Sequence, residues 1–139
     1  HKPDAIIVDT VGVGAGVYDR LIQLGLPAIE GNASFKADDE EYFNKRTEMY
    51  YRLKDWLVKG GTLPRDDELL EELTCITYGF SDKGLLKLSS KDLIKEDLGR
   101  SPDRADSIAL NHFTHVEPAE TLEEDDELYD LEASNAGAW

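Results

Sequence analysis

Near its start the chain carries an unbroken apolar run, Ala5-Ile6-Ile7-Val8, which ends in Asp9 and is followed at once by Gly12, Gly14 and Gly16. A run of this length is the mark of a strand buried on both faces, as in a parallel sheet. Val17, Leu21 and Leu24 then recur at helical spacing with Gly25 just beyond, which predicts a helix over 17–24 with a glycine stop. The stretch 27–31 reads as a second short strand. Strand, helix and strand with brief connections form a βαβ unit, so the sheet is expected to be at least partly parallel.

The next apolar series is longer. Tyr42, Phe43, Met49, Tyr50, Leu53, Trp56 and Leu57 share one helical face, with Asp38, Asp39, Glu40 and Glu41 ahead of them and Gly60-Gly61 behind. Acids favour the positive end of a helix, so the pattern predicts one long helix from the acidic cluster to Gly60. A shorter helix over 66–73 turns Leu69, Leu70 and Leu73 inward. Residues 76–80 and 85–88 flank Ser81-Asp82-Lys83-Gly84, which is hairpin chemistry. Ser89 or Ser90 caps a helical turn through Lys95. Ser101 is expected to cap the last helix with Pro102 as its first residue, and Ala105, Ile108, Ala109, His112 and Phe113 form its inward stripe. The mixture of the two periods places the chain in the α/β class, without internal repeats.

Charge changes the picture in one respect. Thirty Asp and Glu against fifteen Lys and Arg leave 139 residues with a formal charge of −15, which argues against a broad basic face for nucleic acid. Nine of the acids lie in 116–139, which has no Lys or Arg, so residues 1–115 carry only −6. The chain therefore divides into an ordered body, 1–115, and an acidic, flexible C-terminal tail, 116–139, that is either solvating or partner-binding. With 40% apolar residues the body can bury a core. The sequence predicts neither a membrane-spanning segment nor a signal peptide, the N-terminal apolar run being far short of the ~20 residues a span needs. The single cysteine, Cys75, fits a reducing compartment and reads as a small core residue.

Asp9 is the first residue whose chemistry needs explaining, because it ends an apolar strand, where open α/β sheets place ligands. Burying a carboxylate there calls for a compensating cation, and a divalent metal supplies one; the alternative is a cap on the glycine turn. Gly12, Gly14 and Gly16, with Glu30 ending the next strand, also invite a nucleotide-binding or partner-binding reading. Against it, Val17 stands where the dinucleotide fingerprint needs its last glycine, and Asp9 would repel a pyrophosphate. Asp103 and Asp106, three apart on the last helix, point to nearly the same side and would repel one another without a cation between them. Asp103 is equally explained by the helix dipole. His112 and His115 lack a matching ligand cluster and read as a core-edge and a surface histidine. Asn44, Lys45, Arg46, Arg52, Lys54 and Lys59 make the long helix the least acidic surface, with ion pairing and phosphate contact as competing readings.

Taken in order, Ile6-Ile7-Val8-Asp9-Thr10-Val11-Gly12-Val13-Gly14, Phe43-Asn44-Lys45-Arg46 leading to Trp56-Leu57, Leu69-Leu70-Glu71-Glu72-Leu73 and Ser101-Pro102-Asp103-Arg104-Ala105-Asp106-Ser107-Ile108-Ala109-Leu110 resemble the C-terminal nuclease domain of the large terminase subunit of tailed double-stranded DNA phages. The resemblance covers roughly residues 5–114. It implies an RNase H-like mixed sheet flanked by helices and a metal-dependent endonuclease that cleaves concatemeric double-stranded DNA during genome packaging. It also implies two Mg²⁺ or Mn²⁺ ions held by three acids, of which Asp9 and Asp106 match the second and third, Asp103 being an auxiliary ligand. Asn44, Lys45 and Arg46 are its candidate DNA contacts. The acid on the family's preceding strand has no counterpart here, so the fold is expected to be N-terminally incomplete, weak or inactive alone, and able to self-associate through an open sheet edge. The implied partners are the terminase ATPase domain, the small subunit and the portal or procapsid. The implied location is the cytoplasm of a bacterial host, from a phage or prophage.

Overall fold

The computed structural model describes residues 2–117. Most of the expected acidic tail, residues 118–139, lies outside the described residues. Nine elements follow one another: β1 (Ile6–Asp9), α1 (Gly14–Gln23), β2 (Ala28–Gly31), α2 (Lys45–Val58), α3 (Asp67–Cys75), β3 (Tyr78–Phe80), β4 (Leu86–Leu88), α4 (Lys91–Leu98) and α5 (Asp103–Leu110).

The first three elements are the βαβ unit that the apolar pattern predicts. β1 and β2 pair in parallel, with Ile6 opposite Ala28 and Asp9 opposite Gly31. α1 begins directly on the end of β1. A Cβ at residue 14 would lie 1.7 Å from the carbonyl oxygen of Asp9, so only glycine lets the helix start there. Gly25 ends the helix at φ +71, the left-handed conformation that a glycine stop provides.

α2 starts later than the acidic cluster suggests. Residues 38–44 do not join the helix, because Asn44 caps it, accepting from the Thr47 amide at 3.0 Å. The amides of Lys45 and Arg46 are taken by the carbonyls of Phe35 and Ala33. Of the acids ahead of the cap, Asp39 accepts from the Glu41 amide in a turn and Asp38 pairs with Lys45 and Arg52 of α2. Residues 41–43 bond to Leu86 of the β3–β4 hairpin: Phe43 donates to the Leu86 carbonyl and Leu86 to that of Glu41. That interaction, with the Leu88 amide facing the Thr47 hydroxyl, covers the outer edge of β4. Among the described residues the strands form two small sheets, one a parallel pair and the other an antiparallel pair.

The core lies among the helices. Met49, Tyr50 and Leu53 of α2, Leu69 of α3, Leu88 of β4, and Ala105, Ala109 and Phe113 in and after α5 form one buried cluster. Charged groups are buried with them. Glu48, 1% exposed, receives Lys45 and Arg52, and Glu72, 1% exposed, receives Arg100 and the Ala105 amide. The Glu72–Ala105 bond fills an open donor at the start of α5, where Ser101 was expected to cap. Pro102 occupies the cap position instead, without a side-chain bond. No helix among the described residues is long and apolar enough to cross a membrane.

Candidate functional site

Asp9 comes to the surface where β1 ends. Its Oδ1 accepts from the Val11 amide at 3.0 Å, so it does cap the glycine turn, and the second oxygen has no hydrogen-bond partner among the described residues. The carboxylate lines a cavity of about 350 Å³ together with Asn44, Arg46, Ser89 and Lys91. Glu30, the other acid at this sheet edge, accepts from the Thr10 hydroxyl at 2.9 Å.

Asp106 is reached from the opposite side. It sits in the first turn of α5, which packs on the β1–β2 sheet and on α2. The absence of bulk at Ala105 and Ala109, both fully buried, allows that close approach. Three side chains converge on the carboxylate. The Tyr50 hydroxyl donates to Oδ1 at 2.7 Å, the Lys91 ammonium lies 2.8 Å from Oδ2, and Arg46 Nε is 3.5 Å from Oδ1. Burial, reinforced by the Asp106 charge, holds the Tyr50 phenol far above its ordinary range, so it stays protonated and remains a donor. Arg46 and Lys91 also line the cavity that holds Asp9. Asp106 does not itself line that cavity; Arg46 and Lys91 connect it to the pocket that Asp9 lines.

Tyr50 and Lys91 were not singled out in the sequence. Tyr50 reads there as core. Lys91 carried a usable signal, since it follows the Ser90 cap directly and so places a cation at the positive end of a helix, against the dipole. The other predicted residues fall apart from this group. The Asp103 carboxylate is exposed and makes no hydrogen bond or ion pair among the described residues. Lys45 is 3% exposed, ion-paired to Asp38 and Glu48 and placed 5.1 Å from the centre of the Phe113 ring, so its charge serves the fold rather than a phosphate. Asn44 spends its side chain on the α2 cap but still reaches the cavity. Cys75 is half-buried, and burial raises its thiol pKa. His112 packs against Trp56, while His115 is exposed beside Glu117.

The described residues do not by themselves complete a divalent-metal centre. No three of their His, Cys, Asp or Glu side chains are grouped to hold an ion. Oxygen-ligated Mg²⁺ or Ca²⁺ takes six or more donors. Here Asp106 is occupied by Tyr50 and Lys91, leaving the free oxygen of Asp9 as the one open anionic donor in the pocket.

No protein-family model matches the chain, and no curated protein does. Solved structures do match. A point mutant of the nuclease domain of the large terminase subunit gp2 of bacterial virus Sf6, with manganese and beta-thujaplicinol, aligns with a TM-score of 0.62 and 25% identity over 82% of this chain. A calcium-containing gp2 mutant structure from the same phage aligns at 0.57, again with 25% identity, over 81%. This chain is a terminase nuclease-domain relative. It spans 66% of the length of the first of those domains and 65% of the second. The α/β architecture of the described residues, with five helices and two small sheets, matches the terminase nuclease, RNase H-like fold. The terminase structures were solved with manganese or calcium, so divalent cations enter that fold.

Proposed function

We propose that this chain belongs to a metal-dependent DNA endonuclease that cuts concatemeric double-stranded DNA during phage genome packaging. The observation that carries the reading is that Arg46 and Lys91, the cations paired with Asp106 of α5, line the pocket at the end of β1 that Asp9 also lines, within a fold similar to terminase nuclease domains. Asp9 and Asp106 are its contribution to the acidic centre, with Asp103 as an outlying carboxylate. Further donors for Mg²⁺ or Mn²⁺ come from outside the described residues.

Each residue's part follows from its contacts. Tyr50 fixes the rotamer of Asp106 through Oδ1. Lys91 and Arg46 balance the Asp106 charge and give the pocket the sign that attracts a phosphodiester. Asn44 holds the start of α2 in place below them. The ATPase domain, small subunit and portal of a packaging motor are the partners this reading assigns, in the cytoplasm of the host bacterium.

The test is binding and cleavage by the full chain. Mn²⁺ should broaden the NMR signals of residues around Asp9 and Asp106, and supercoiled plasmid should be nicked slowly with Mn²⁺ present. Asp106→Asn should lower nicking about 100-fold, equivalent to ~2.7 kcal/mol of transition-state stabilisation. Broadening elsewhere only, or an Asp106→Asn variant that nicks like the parent, would end the proposal.

A further inference from the structure

Between α2, the end of α3 and β3 lies a second cavity of about 350 Å³, and its walls are apolar. Leu57 and Val58 of α2, Leu73 of α3, Ile76 and Tyr78 line it. The cavity opens to solvent, Val58 being 79% and Tyr78 66% exposed. Among the described residues its lining carries one charge, the Lys54 ammonium, which lies 5.2 Å from the centre of the Tyr51 ring and forms no ion pair with any of them. An open apolar groove beside one unpaired cation suits a segment in which apolar side chains alternate with acids.

The chain itself supplies such a segment. Residues 118–139 hold eight Asp and Glu and no Lys or Arg, and within them Leu128, Tyr129 and Leu131 are set among Glu127, Asp130 and Glu132. The last described residues leave alongside α2. Arg52 of that helix donates to the carbonyls of His112 and Phe113 at 3.3 and 3.1 Å, and it lines a cavity with Thr114, His115 and Val116. A helix is about 10–12 Å across, and the ten residues from Glu117 to Glu127 can span up to ~33 Å, so the segment reaches the groove on the same helix. Tethering presents it there at an effective concentration on the order of 1 mM, far above that of a second copy in dilute solution. We infer that residues 127–132 dock in this groove, Leu128, Tyr129 and Leu131 against Val58, Leu73, Ile76 and Tyr78, with a flanking acid on Lys54. The docked segment backs the ring of Tyr50, which lines the same cavity and whose hydroxyl holds Asp106 at 2.7 Å. The docking needs neither metal nor DNA, and so holds apart from the nuclease reading.

The test is NMR of the full chain with labelled Leu, Val and Ile methyl groups. Nuclear Overhauser contacts are expected between the methyls of Leu128 or Leu131 and those of Val58, Leu73 or Ile76. Leu128→Ser combined with Leu131→Ser should abolish them and shift the Ile76 methyl signal. Lys54 and Tyr78 are exposed, so their truncation leaves the fold in place. Tyr78→Ala should lower the ratio of docked to free segment about 10-fold, and Lys54→Ala roughly 3-fold. Each ratio is read from the Ile76 methyl shift, the free position being set by adding both serines to the same variant. An Ile76 signal that the two serines do not move overturns the docking. Contacts that appear only between labelled and unlabelled copies in a mixed sample overturn it as well, and give the groove to the tail of another chain. A Lys54→Ala variant docked as fully as the parent overturns the ion pair.

Discussion

The helical half of the molecule and its β1–α1–β2 unit are held by different means. α2, α3 and α5 bury Met49, Tyr50, Leu53, Leu69, Ala105 and Ala109 in one cluster, together with Glu48 and Glu72 and their partners. In the βαβ unit Gly31 alone is buried, and α1 has no buried residue. Val13 is 94% exposed, with Val11, Val17, Ile22 and Leu24 also open to solvent. The contrast separates two tasks. The helices supply stability, and with it a rigid base for Tyr50 and Asp106. The βαβ unit is held by backbone pairing and a few close approaches, and it carries Asp9 at its tip.

The comparison breaks most readily at a buried charge. Glu72→Ala leaves the buried Ala105 amide without its acceptor and Arg100 with Glu71 alone, and a loss of about 3–5 kcal/mol is expected in urea unfolding. Glu30→Ala, which frees only the exposed Thr10 hydroxyl, should change stability by less than about 1 kcal/mol. Equal losses would show that the two halves share stability evenly. Next comes Leu53→Ala, expected to be destabilising by about 2–5 kcal/mol because the side chain is 1% exposed, against about 0.5 kcal/mol or less for Val13→Ala.

Gly14→Ala sharpens the contrast from the other side. Its new methyl would run into the Asp9 carbonyl, so the open unit should lose roughly 1–3 kcal/mol and β1 amides should exchange faster than those of α2. The smallest effect is in pH. Burial, aided by the Arg52 charge, holds the His112 pKa below 6.5, so the unfolded chain takes up that proton first. The contribution is fully present above about pH 6.5 and is lost as pH falls through the folded-state value. His112→Gln should flatten that part of the stability profile, measured by urea midpoints between pH 7.5 and 5.5.

Much of this arrangement is visible in local sequence. The Ile6–Asp9 run, Gly25, the Asp82–Gly84 turn and the Ser90 cap each act within a few residues, and the elements lie where those patterns put them. The start of α2 is different, because one side-chain cap from Asn44 outweighs four acids whose dipole benefit is small. The cover over the β4 edge depends on Leu86 meeting Glu41 and Phe43, a contact with no local signature. The positions of Asp9 at a strand end and of Asp106 in the first turn of a helix were legible. Their surroundings were not, since Tyr50, Arg46 and Lys91 arrive from two other elements and only the fold makes them neighbours.

Trp56 folds back over Gly61 so closely that an added Cβ would meet its ring within 2.5 Å, and its ring centre lies 5.6 Å from that of the His112 imidazole. An indole in that position is a built-in optical gauge. Protonated imidazole quenches indole emission, so with Trp139 replaced by Phe, the fluorescence of the folded chain reports the charge on His112 directly. The same signal is released when α2 and the segment after α5 separate, and one cuvette can then follow both the titration and the unfolding of the helical half.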